Sequence, residues 1–307
     1  MLHLIDKNRL NTGSVVQMLA AANGLALRGH DVWVGSRAGR DLEVACADSG
    51  LRFLELPLRS PWDPASAPKV WRHLRQHETD IIHVHKGCAH GVALLAATGS
   101  GRRPRLVVNR GVSFPLDVFN KWKYRHPRVA SVVCVAEAVR DVVIRSGGLN
   151  PGSVHTIYGG TDPGTFDPEH ANGQPLRHEV GIEPDHVVVG QVSVRDWKGW
   201  SDLVRAFALL AERASATRLL LVGCESETER AKVEKAVREA GLGGQVVTLP
   251  YRRDMPDVLA ACDVVVDASW GGTGITGTIR EAMAMERSVV ATDCGGNREL
   301  VVDGEVG

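Results

Sequence analysis

Residues 268–284, ASWGGTGITGTIREAMA, combine glycines, threonines and one glutamate in a spacing that suits a phosphate-bearing ligand. The pattern predicts a strand end, a loop of small residues, and a helix that carries Glu281. Backbone N–H groups of residues 274–276 would lie at the start of that helix, where unpaired donors and the helix dipole favour an anion. Glu281, one turn further, could accept hydrogen bonds from both hydroxyls of a ribose. A second interpretation stays open, because Thr278-x-x-Glu281 also fits a capping box.

The elements that would position these residues follow from alternating apolar runs and longer segments of helical period. In the first half we expect strands at 3–5, 32–36, 81–85, 106–108 and 131–135, and helices at 14–28 and 137–146. In the second half we expect strands at 187–194, 218–223, 245–250, 263–269 and 288–292, and helices at 200–213, 226–240, 255–261 and 277–286. This rhythm predicts parallel βαβ units in two Rossmann-like domains of an α/β protein.

The domain boundaries follow from a break in this rhythm. Residues 161–178 are rich in Pro, Gly, Asp and His and have no periodicity. We therefore assign 1–160 to an N-terminal domain, 161–180 to a linker, and 181–307 to a C-terminal domain. Open α/β sheets bind ligands outside the carboxyl ends of their strands, so we expect the active site in a cleft between two facing domains. The chain ends after an expected strand without a closing helix, which predicts a truncated C-terminal domain.

Charge and composition exclude several classes of protein. Lys plus Arg and Asp plus Glu number 36 each among 307 residues, so there is no bulk charge to attract nucleic acid. The six cysteines form no CxxC pair, which is typical of a reducing compartment. No apolar run approaches the roughly 18 residues of a membrane span. We expect a cytoplasmic protein, and a peripheral contact with the inner membrane face stays open.

Several longer motifs resemble the family 4 retaining glycosyltransferases of the GT-B fold, also called group 1. GTGITGTIREAMAMERSVVATDCGGNRELVVDG, residues 272–304, resembles their signature EGxGxxxxEAMAxGxPVVATDxGGxxEhhxDG. SVRDWKGWSDLVRAFALL, residues 193–210, resembles their GRLxxxKGxDxL segment, and SVHTIYGGTDPGTF, residues 153–166, resembles hxVIxNGhDxxxF. VCVAEAVRDVVIRSG, residues 133–147, resembles their haVSExhRxxhhxxG helix. The resemblance covers essentially the whole chain and implies a GT-B glycosyltransferase.

The resemblance also implies roles for individual residues. In the family, the equivalents of Arg195 and Lys198 neutralise the diphosphate of a nucleotide-sugar donor, and the equivalent of Glu281 binds its ribose. Such cations would stabilise the charge that develops on the departing diphosphate. We expect Arg195, Lys198 and Glu281 to be catalytic. The expected donor-binding residues are Gly13, Thr273, Gly274, Ile275, Thr276, Tyr251 and Arg252, although Gly13 could also be only a turn glycine.

The spacing between Arg195 and Lys198 is one residue shorter than in the family pattern, and the chain departs from that pattern at two further places. Thr273 stands where the family usually has a glutamate that contacts the donor sugar, and threonine offers one hydrogen bond and no charge. Either this chain binds its sugar differently or its activity is weak. Asn109 and Arg110 stand where the family often has a histidine near the reaction centre. Together with His85, they are the residues that we expect on the acceptor side.

His83 and His85 alternate on one expected strand and project to one face, a spacing that also suits a metal pair. Only two ligands are in evidence, and in the family basic side chains and helix dipoles replace a divalent ion. We therefore expect no metal, with His83 as a core histidine.

The function implied is metal-independent transfer of a hexose, with retention, from a nucleotide diphosphate sugar to an acceptor hydroxyl. No cofactor is expected, and the acceptor would be a glycan or glycolipid in cell-surface glycan or lipopolysaccharide synthesis. Two alternatives stay open. A nucleotide-sugar epimerase of the same fold should carry extra acidic general bases, and a noncatalytic nucleotide-sugar-binding domain would be compatible with Thr273. An NAD dehydrogenase is disfavoured, because no GxGxxG follows an expected strand.

Overall fold

The computed structural model of the chain describes residues 1–101 and 104–305, apart from the side chain of residue 40. The chain divides into two compact units, Met1–Gly159 and Gly160–Gly307. Each unit is built on a parallel sheet whose strands are joined by helices. Parallel neighbours require a crossover connection, which explains the alternation of apolar runs and helical segments in the sequence.

The first unit contains seven strands, and all of them are parallel to their neighbours. They are β1 (Leu2–Leu4), β2 (Trp33–Ser36), β3 (Arg52–Glu55), β4 (Ile81–Val84), β5 (Arg105–Arg110), β6 (Val129–Cys134) and β7 (Val154–Thr156). The helices are α1 (Gly13–Leu27), α2 (Arg40–Asp48), α3 (Ser66–Gln76), α4 (Gly87–Gly99), α5 (Val118–Tyr124) and α6 (Glu137–Gly147). The strand order is β3-β2-β1-β4-β5-β6-β7, so β1 and β4 are central neighbours.

The second unit contains a five-stranded parallel sheet in which β8 is central. Its strands are β8 (Val187–Val192), β9 (Thr217–Val222), β10 (Val246–Leu249), β11 (Val264–Asp267) and β12 (Ser288–Ala291). Its helices are α7 (Gln174–Glu179), α8 (Trp200–Ala211), α9 (Glu227–Glu239), α10 (Met255–Ala260) and α11 (Gly277–Ala284). The strand order is β10-β9-β8-β11-β12, and every strand and helix predicted between residues 187 and 292 is present.

The segment 161–180, predicted as a linker, is instead part of the second unit, which begins at Gly160. It contains α7, whose Leu176 is buried in the hydrophobic core of that unit. Arg177, also on α7, donates from Nη2 to Asp263 Oδ2 over 2.8 Å. A six-residue helix is too short to show a hydrophobic period, which is why α7 was not predicted from the sequence.

The core of the second unit covers both faces of its sheet. Leu219 and Leu221 of β9 pack into one hydrophobic cluster, whereas Leu220 and Val222 pack into another. Strands buried on both faces read as continuous apolar runs, so these strands were visible in the sequence. The polar residues that interrupt or end such runs lie at the carboxyl edge of the sheet, and the candidate site lies there.

The surface of the first unit has exposed apolar side chains on and beside α5. Phe119 is 85% exposed and Val118 is 76% exposed. Trp62 and Trp122 are also exposed, and their rings stack with centroids 5.5 Å apart and an interplanar angle of 13°. Across the described residues, no helix has both the length and the apolar character needed to cross a membrane.

Candidate active site

Lys198 lies in the turn that follows β8, and its side chain is buried. The buried Gln191 of β8 donates from Nε2 to the carbonyl oxygen of Lys198 over 3.1 Å. Gly199 has φ +67°, and a Cβ at this position would collide with the carbonyl oxygen of Ala268. Glycine therefore allows the turn to approach the end of β11 closely, which brings Lys198 to the edge of the neighbouring strand.

The ammonium of Lys198 contacts two residues from later in the chain. Its Nζ lies 3.2 Å from Oδ2 of Asp267, the last residue of β11, and 3.4 Å from Oγ1 of Thr276. Burial opposes ionisation of Asp267, which is 4% exposed, but the Lys198 ammonium and nearby hydrogen bonds lower its pKa below the ordinary value. Asp267 is therefore ionised at neutral pH. An ammonium has three N–H donors, so one remains for a ligand.

Helix α11 begins beside this ion pair and has no side-chain cap. Thr276 occupies the N-cap position, yet its side chain does not cap the helix, and the first turn contains no acidic residue. The first N–H groups of a helix have no partner within it and form the positive end of its dipole. Because Lys198 contacts the Thr276 hydroxyl, the helix start and the ammonium are adjacent, and together they form a site suited to phosphate.

Glu281 lies one turn into α11, with a half-buried carboxylate that makes no hydrogen bond to any described residue. A Cβ at Gly277 would lie 3.4 Å from Glu281 Oε1, so the carboxylate points back towards the helix start. Thr276 is the N-cap, and Thr278 therefore lies inside the helix and does not form the predicted capping box. Burial raises the pKa of Glu281, and neighbouring Arg280 partly offsets that effect. The carboxylate is available to a ligand.

The loop before α11 is held by the loop that follows β12. Thr273 is buried, and its Oγ1 lies 3.6 Å from Cys294 Sγ. Gly295 has φ +59°, and a Cβ there would collide with the Thr273 carbonyl oxygen. The N–H of Gly296 donates to the carbonyl oxygen of Gly274 over 3.4 Å, while Ile275 is half-buried. The predicted donor-binding loop is thus a defined structure, and its Thr273 hydroxyl faces a protein sulfur atom.

Arg195 lies at the exposed rim of the same turn, and its guanidinium forms no ion pair with the residues that the structure describes. The turn is joined to the loop after β11 by Trp270, which donates from its backbone N–H to Trp197 over 3.1 Å. The indole Nε1 of Trp270 donates to the Asp196 carbonyl oxygen over 3.0 Å. Lys198 Nζ lies 5.0 Å from the centroid of the Trp197 ring. These contacts hold Lys198 and Arg195 on one short, ordered turn.

The structure gives Tyr251 and Arg252 a different setting. Arg252 forms a bidentate pair with Asp254, with Nη2 2.7 Å from Oδ2, and its Nη1 lies 2.9 Å from Glu179 Oε1. These carboxylates raise the pKa of Arg252 further and neutralise its charge. Arg252 therefore joins α7 to the loop after β10. No contact with a described residue links Arg252 to Lys198 or Glu281.

The predicted residues of the first unit lie at the starts of helices and the ends of strands. Gly13 begins α1, which has no side-chain cap, and a Cβ there would meet no atom within 4 Å. Its backbone does not need a positive φ, so both roles for Gly13, phosphate contact and turn glycine, remain predictions. Arg110 ends β5 beside the half-buried Asn109, and its Nη2 donates to the Phe114 carbonyl oxygen over 2.5 Å. His85 follows β4 and is buried.

A third histidine joins His83 and His85. His3 of β1 pairs in register with His83 of β4, which places all three rings on one face of the sheet. His3 Nδ1 lies 3.0 Å from His85 Nε2. Burial lowers the pKa of His3 to about 3 and that of His83 to about 4, so these imidazoles are neutral. His83 is half-buried rather than fully enclosed.

Two residues of the site were not identified from the sequence. Asp267 ends the apolar run VVVD, and Gln191 interrupts the run VVVGQV, so each is a polar residue inside a buried strand. That exception to the apolar pattern was a usable signal. Their shared partner Lys198, however, becomes apparent only when β8 and β11 are known to be neighbours.

Similarity to known proteins defines the class to which this fold and site belong. Residues 11–165 match the family described as Glycosyltransferase Family 4, and residues 183–307 match the family described as Glycosyl transferases group 1. The chain belongs to glycosyltransferase family 4, and its activity is glycosyl transfer. The family predicted from the sequence motifs is confirmed.

Individual relatives agree with this assignment. The putative glycosyltransferase EpsD of Bacillus subtilis is 29% identical over 81% of this chain and 68% of its own length. A GDP-mannose-dependent phosphatidylinositol monomannoside mannosyltransferase of Mycolicibacterium smegmatis is 26% identical over 96% of this chain and 81% of its own length.

Solved structures confirm the predicted GT-B fold. Anabaena HepE in complex with UDP has a TM-score of 0.81 at 23% identity, covering 98% of this chain and 82% of HepE. A glycosyltransferase of Rickettsia africae has a TM-score of 0.84 at 19% identity, covering 98% of this chain and 81% of its own.

Proposed function

We propose that the second unit binds a nucleotide diphosphate sugar and that the chain transfers its hexose to an acceptor hydroxyl with retention. The contact between the Lys198 ammonium and Thr276, at the uncapped start of α11, carries this proposal. It brings a fixed positive charge to a set of unpaired N–H donors, as a diphosphate requires. Relatives support the donor class, because HepE was crystallised with UDP-glucose and the Mycolicibacterium enzyme is described as GDP-mannose-dependent.

Lys198 would act mainly on the leaving group. When the bond between the anomeric carbon and the phosphate oxygen breaks, the diphosphate gains negative charge, which preorganised cations stabilise without solvent reorganisation. The third N–H of Lys198 and the first N–H groups of α11 would bind the phosphates, and Arg195 would add a second cation from the rim. These groups take the place of a divalent ion, so donor binding and departure would need no Mg²⁺ or Mn²⁺.

Asp267 would hold the ammonium of Lys198 in position between one catalytic cycle and the next. Glu281 would accept hydrogen bonds from the two ribose hydroxyls, and its carboxylate already lacks a protein partner. The acceptor hydroxyl would attack from the face that the diphosphate leaves, and its proton would pass to the departing phosphate oxygen. This route needs no second carboxylate, in contrast to an epimerase with acidic general bases.

On the acceptor side, His85, Asn109 and Arg110 of the first unit are the proposed contacts, with Gly13 leaving open space at the start of α1. Arg110 already donates to the Phe114 carbonyl oxygen, so it would position this loop rather than act as an unpaired cation. We propose a glycan or glycolipid acceptor and a role in cell-surface glycan synthesis.

A glycolipid acceptor would agree with a peripheral membrane contact at α5. Phe119, Val118 and Trp122 expose apolar surface there, and Lys121 lies on the same short helix. Aromatic side chains beside a cation favour the interface of an anionic bilayer. Vesicles containing phosphatidylglycerol should therefore co-sediment the wild type more than a Phe119→Ser variant. Equal binding of the two proteins would contradict this contact.

Calorimetry with UDP, GDP and ADP in EDTA tests the donor site. We expect one nucleotide to bind selectively, and we expect Lys198→Met and Glu281→Gln to weaken that binding. Lys232→Met is the matched control, because Lys232 is an exposed lysine that pairs with Asp196 on the same turn. A loss equal to that of Lys198→Met in this control would contradict the assignment.

Transfer of the sugar is tested separately. The anomeric configuration of a transferred sugar, read by NMR, should match that of the donor, whereas inversion would exclude a retaining mechanism. Nucleotide-sugar binding without transfer to any glycan acceptor would instead favour the noncatalytic alternative, and interconversion of the free donor would favour the epimerase.

A further inference from the structure

His3, His83 and His85 form a compact group in the centre of the first sheet. Their candidate ligand nitrogens all lie within 4.8 Å of one another. His3 Nδ1 and His85 Nε2 are 3.0 Å apart, whereas ligand nitrogens in a tetrahedral zinc site are about 3.3 Å apart at Zn–N distances near 2.0–2.1 Å. This 3.0 Å contact is also a hydrogen bond between the two rings, so a metal ion bound by both nitrogens would replace that hydrogen bond.

Hydrogen bonding does not account for all the nitrogens of this group. His3 is completely buried, and its Nε2 has no hydrogen-bond partner among the described residues. His83 Nε2 is likewise buried and without a partner. Buried polar atoms are normally paired, and each exception calls for a physical explanation. A cation bound by His83 Nε2 would pair that nitrogen, whereas a cation bound by His3 Nδ1 would leave His3 Nε2, on the other side of the ring, without a partner among the described residues.

The chemistry of the group selects a class of metal. It contains imidazoles and no carboxylate, a donor set that suits zinc, cobalt, nickel and copper better than magnesium or calcium. The rings are held neutral by burial, so their lone pairs need no deprotonation before they bind a metal. His83, the half-buried member, offers a path for the ion to enter.

We propose that His3, His83 and His85 bind one divalent transition-metal ion, with Zn²⁺ as the reference ion and a fourth position open to water or a ligand oxygen. The ion would join the central strands β1 and β4. It lies in the first unit, whereas the groups proposed to bind the diphosphate lie in the second, so the two proposals stand or fall separately.

The test uses the full chain without a polyhistidine tag, stripped of metal with EDTA and then dialysed free of it. We expect calorimetry with Zn²⁺ and elemental analysis to give one ion per chain, and Co²⁺ to give the visible absorption of a tetrahedral site. His83→Gln should abolish stoichiometric binding and the Co²⁺ absorption. His85→Gln should do the same, and circular dichroism should show that both variants are folded.

Two variants control for adventitious binding. His155→Gln removes an exposed histidine from β7 of the same sheet, and His77→Gln removes one member of the His73–His77 contact, whose ring centroids are 4.6 Å apart. Both should bind Zn²⁺ like the wild type. Failure of the folded wild type to bind Zn²⁺, or full binding by His83→Gln, would overturn the proposal. Affinity for the nucleoside diphosphate that the wild type binds should be unchanged in His83→Gln, so a failure of this proposal is distinguishable from a failure of the donor site.

Discussion

The two units place their polar clusters at the same kind of position, at or beside central parallel strands. The cluster of the second unit is charged, whereas that of the first unit is neutral. In the second unit, Lys198 and Asp267 form a buried ion pair beside the uncapped start of α11. In the first unit, His3, His83 and His85 are neutral imidazoles without a carboxylate among them. The comparison teaches that one α/β architecture can bury a charged pair in one sheet and neutral imidazole lone pairs in another.

The two arrangements also differ in how they affect the stability of the fold. A buried ion pair is stable only while both partners are present, since either charge alone would be buried without compensation. Neutral imidazoles carry no such liability, although their unpaired nitrogens lose hydrogen bonds to water. Substitutions in the second unit should therefore affect stability and binding together, and they give the largest expected effects.

Lys198→Met should have the largest effect, because it leaves the Asp267 carboxylate buried without its cation. We expect the free energy of unfolding to fall by about 3–5 kcal/mol and binding of the selected nucleoside diphosphate to be lost. Denaturant titration and calorimetry measure the two effects. A variant with wild-type stability would show that the pair does not compensate the buried charge.

Gly199→Ala should have the next largest effect, because the added Cβ collides with the Ala268 carbonyl oxygen at a backbone φ of +67°. We expect a loss of about 2–4 kcal/mol in the free energy of unfolding. Gly241→Ala is the matched control, because Gly241 has φ +69° but open space around its Cβ position. That control should lose only about 1 kcal/mol. Equal losses would show that close approach to β11 is unimportant.

Glu281→Gln should weaken nucleotide binding by about 1.5–3 kcal/mol, since it removes a charged acceptor, while slightly stabilising the free protein at neutral pH. Burial raises the pKa of Glu281 in the folded state, so the folded protein favours the protonated carboxyl. The resulting destabilisation appears as pH rises from the ordinary carboxyl value through the raised pKa. The stability gain of the variant should therefore be present at pH 8 and absent at pH 4. A gain that is the same at both values would contradict this origin.

Arg195→Ala should have the smallest effect on stability, within about 0.5 kcal/mol, because its side chain is exposed. If Arg195 adds a second cation to the diphosphate site, binding of the selected nucleoside diphosphate should weaken, and the loss should shrink at high salt. Calorimetry at two ionic strengths measures this. An unchanged affinity at low salt would leave Lys198 as the cation on which the site depends.

Whether a strand or helix could be predicted from the sequence depended on how deeply it is buried. The strands of the second unit were predicted because burial on both faces makes them continuous apolar runs. Strand β3 was missed, because it is an edge strand whose four residues are exposed or half-buried. Helix α7 was missed, because its six residues lie among prolines and glycines.

Residues of the candidate site were predicted where they belong to a motif of the family, and they were missed where only the fold brings them to the site. Lys198, Thr276 and Glu281 belong to recognisable motifs. Asp267 meets Lys198 across 69 residues, and His3 meets His85 across 82, so both contacts depend on strand order. Arg252 was expected to bind the donor from its place in the family pattern, and its pairing with Glu179 could not be foreseen because Glu179 lies in a segment that was predicted to be a linker.

The central claim is that the Lys198 ammonium, held beside the start of α11, binds the donor diphosphate. The double variant Lys198→Met/Asp267→Leu tests it most directly, because replacing both charges with apolar groups should recover most of the stability that Lys198→Met loses. Calorimetry in EDTA, with the nucleoside diphosphate that the wild type binds selectively, should show no measurable binding to this folded variant. Binding with wild-type affinity would contradict the account and would place the diphosphate elsewhere on the chain.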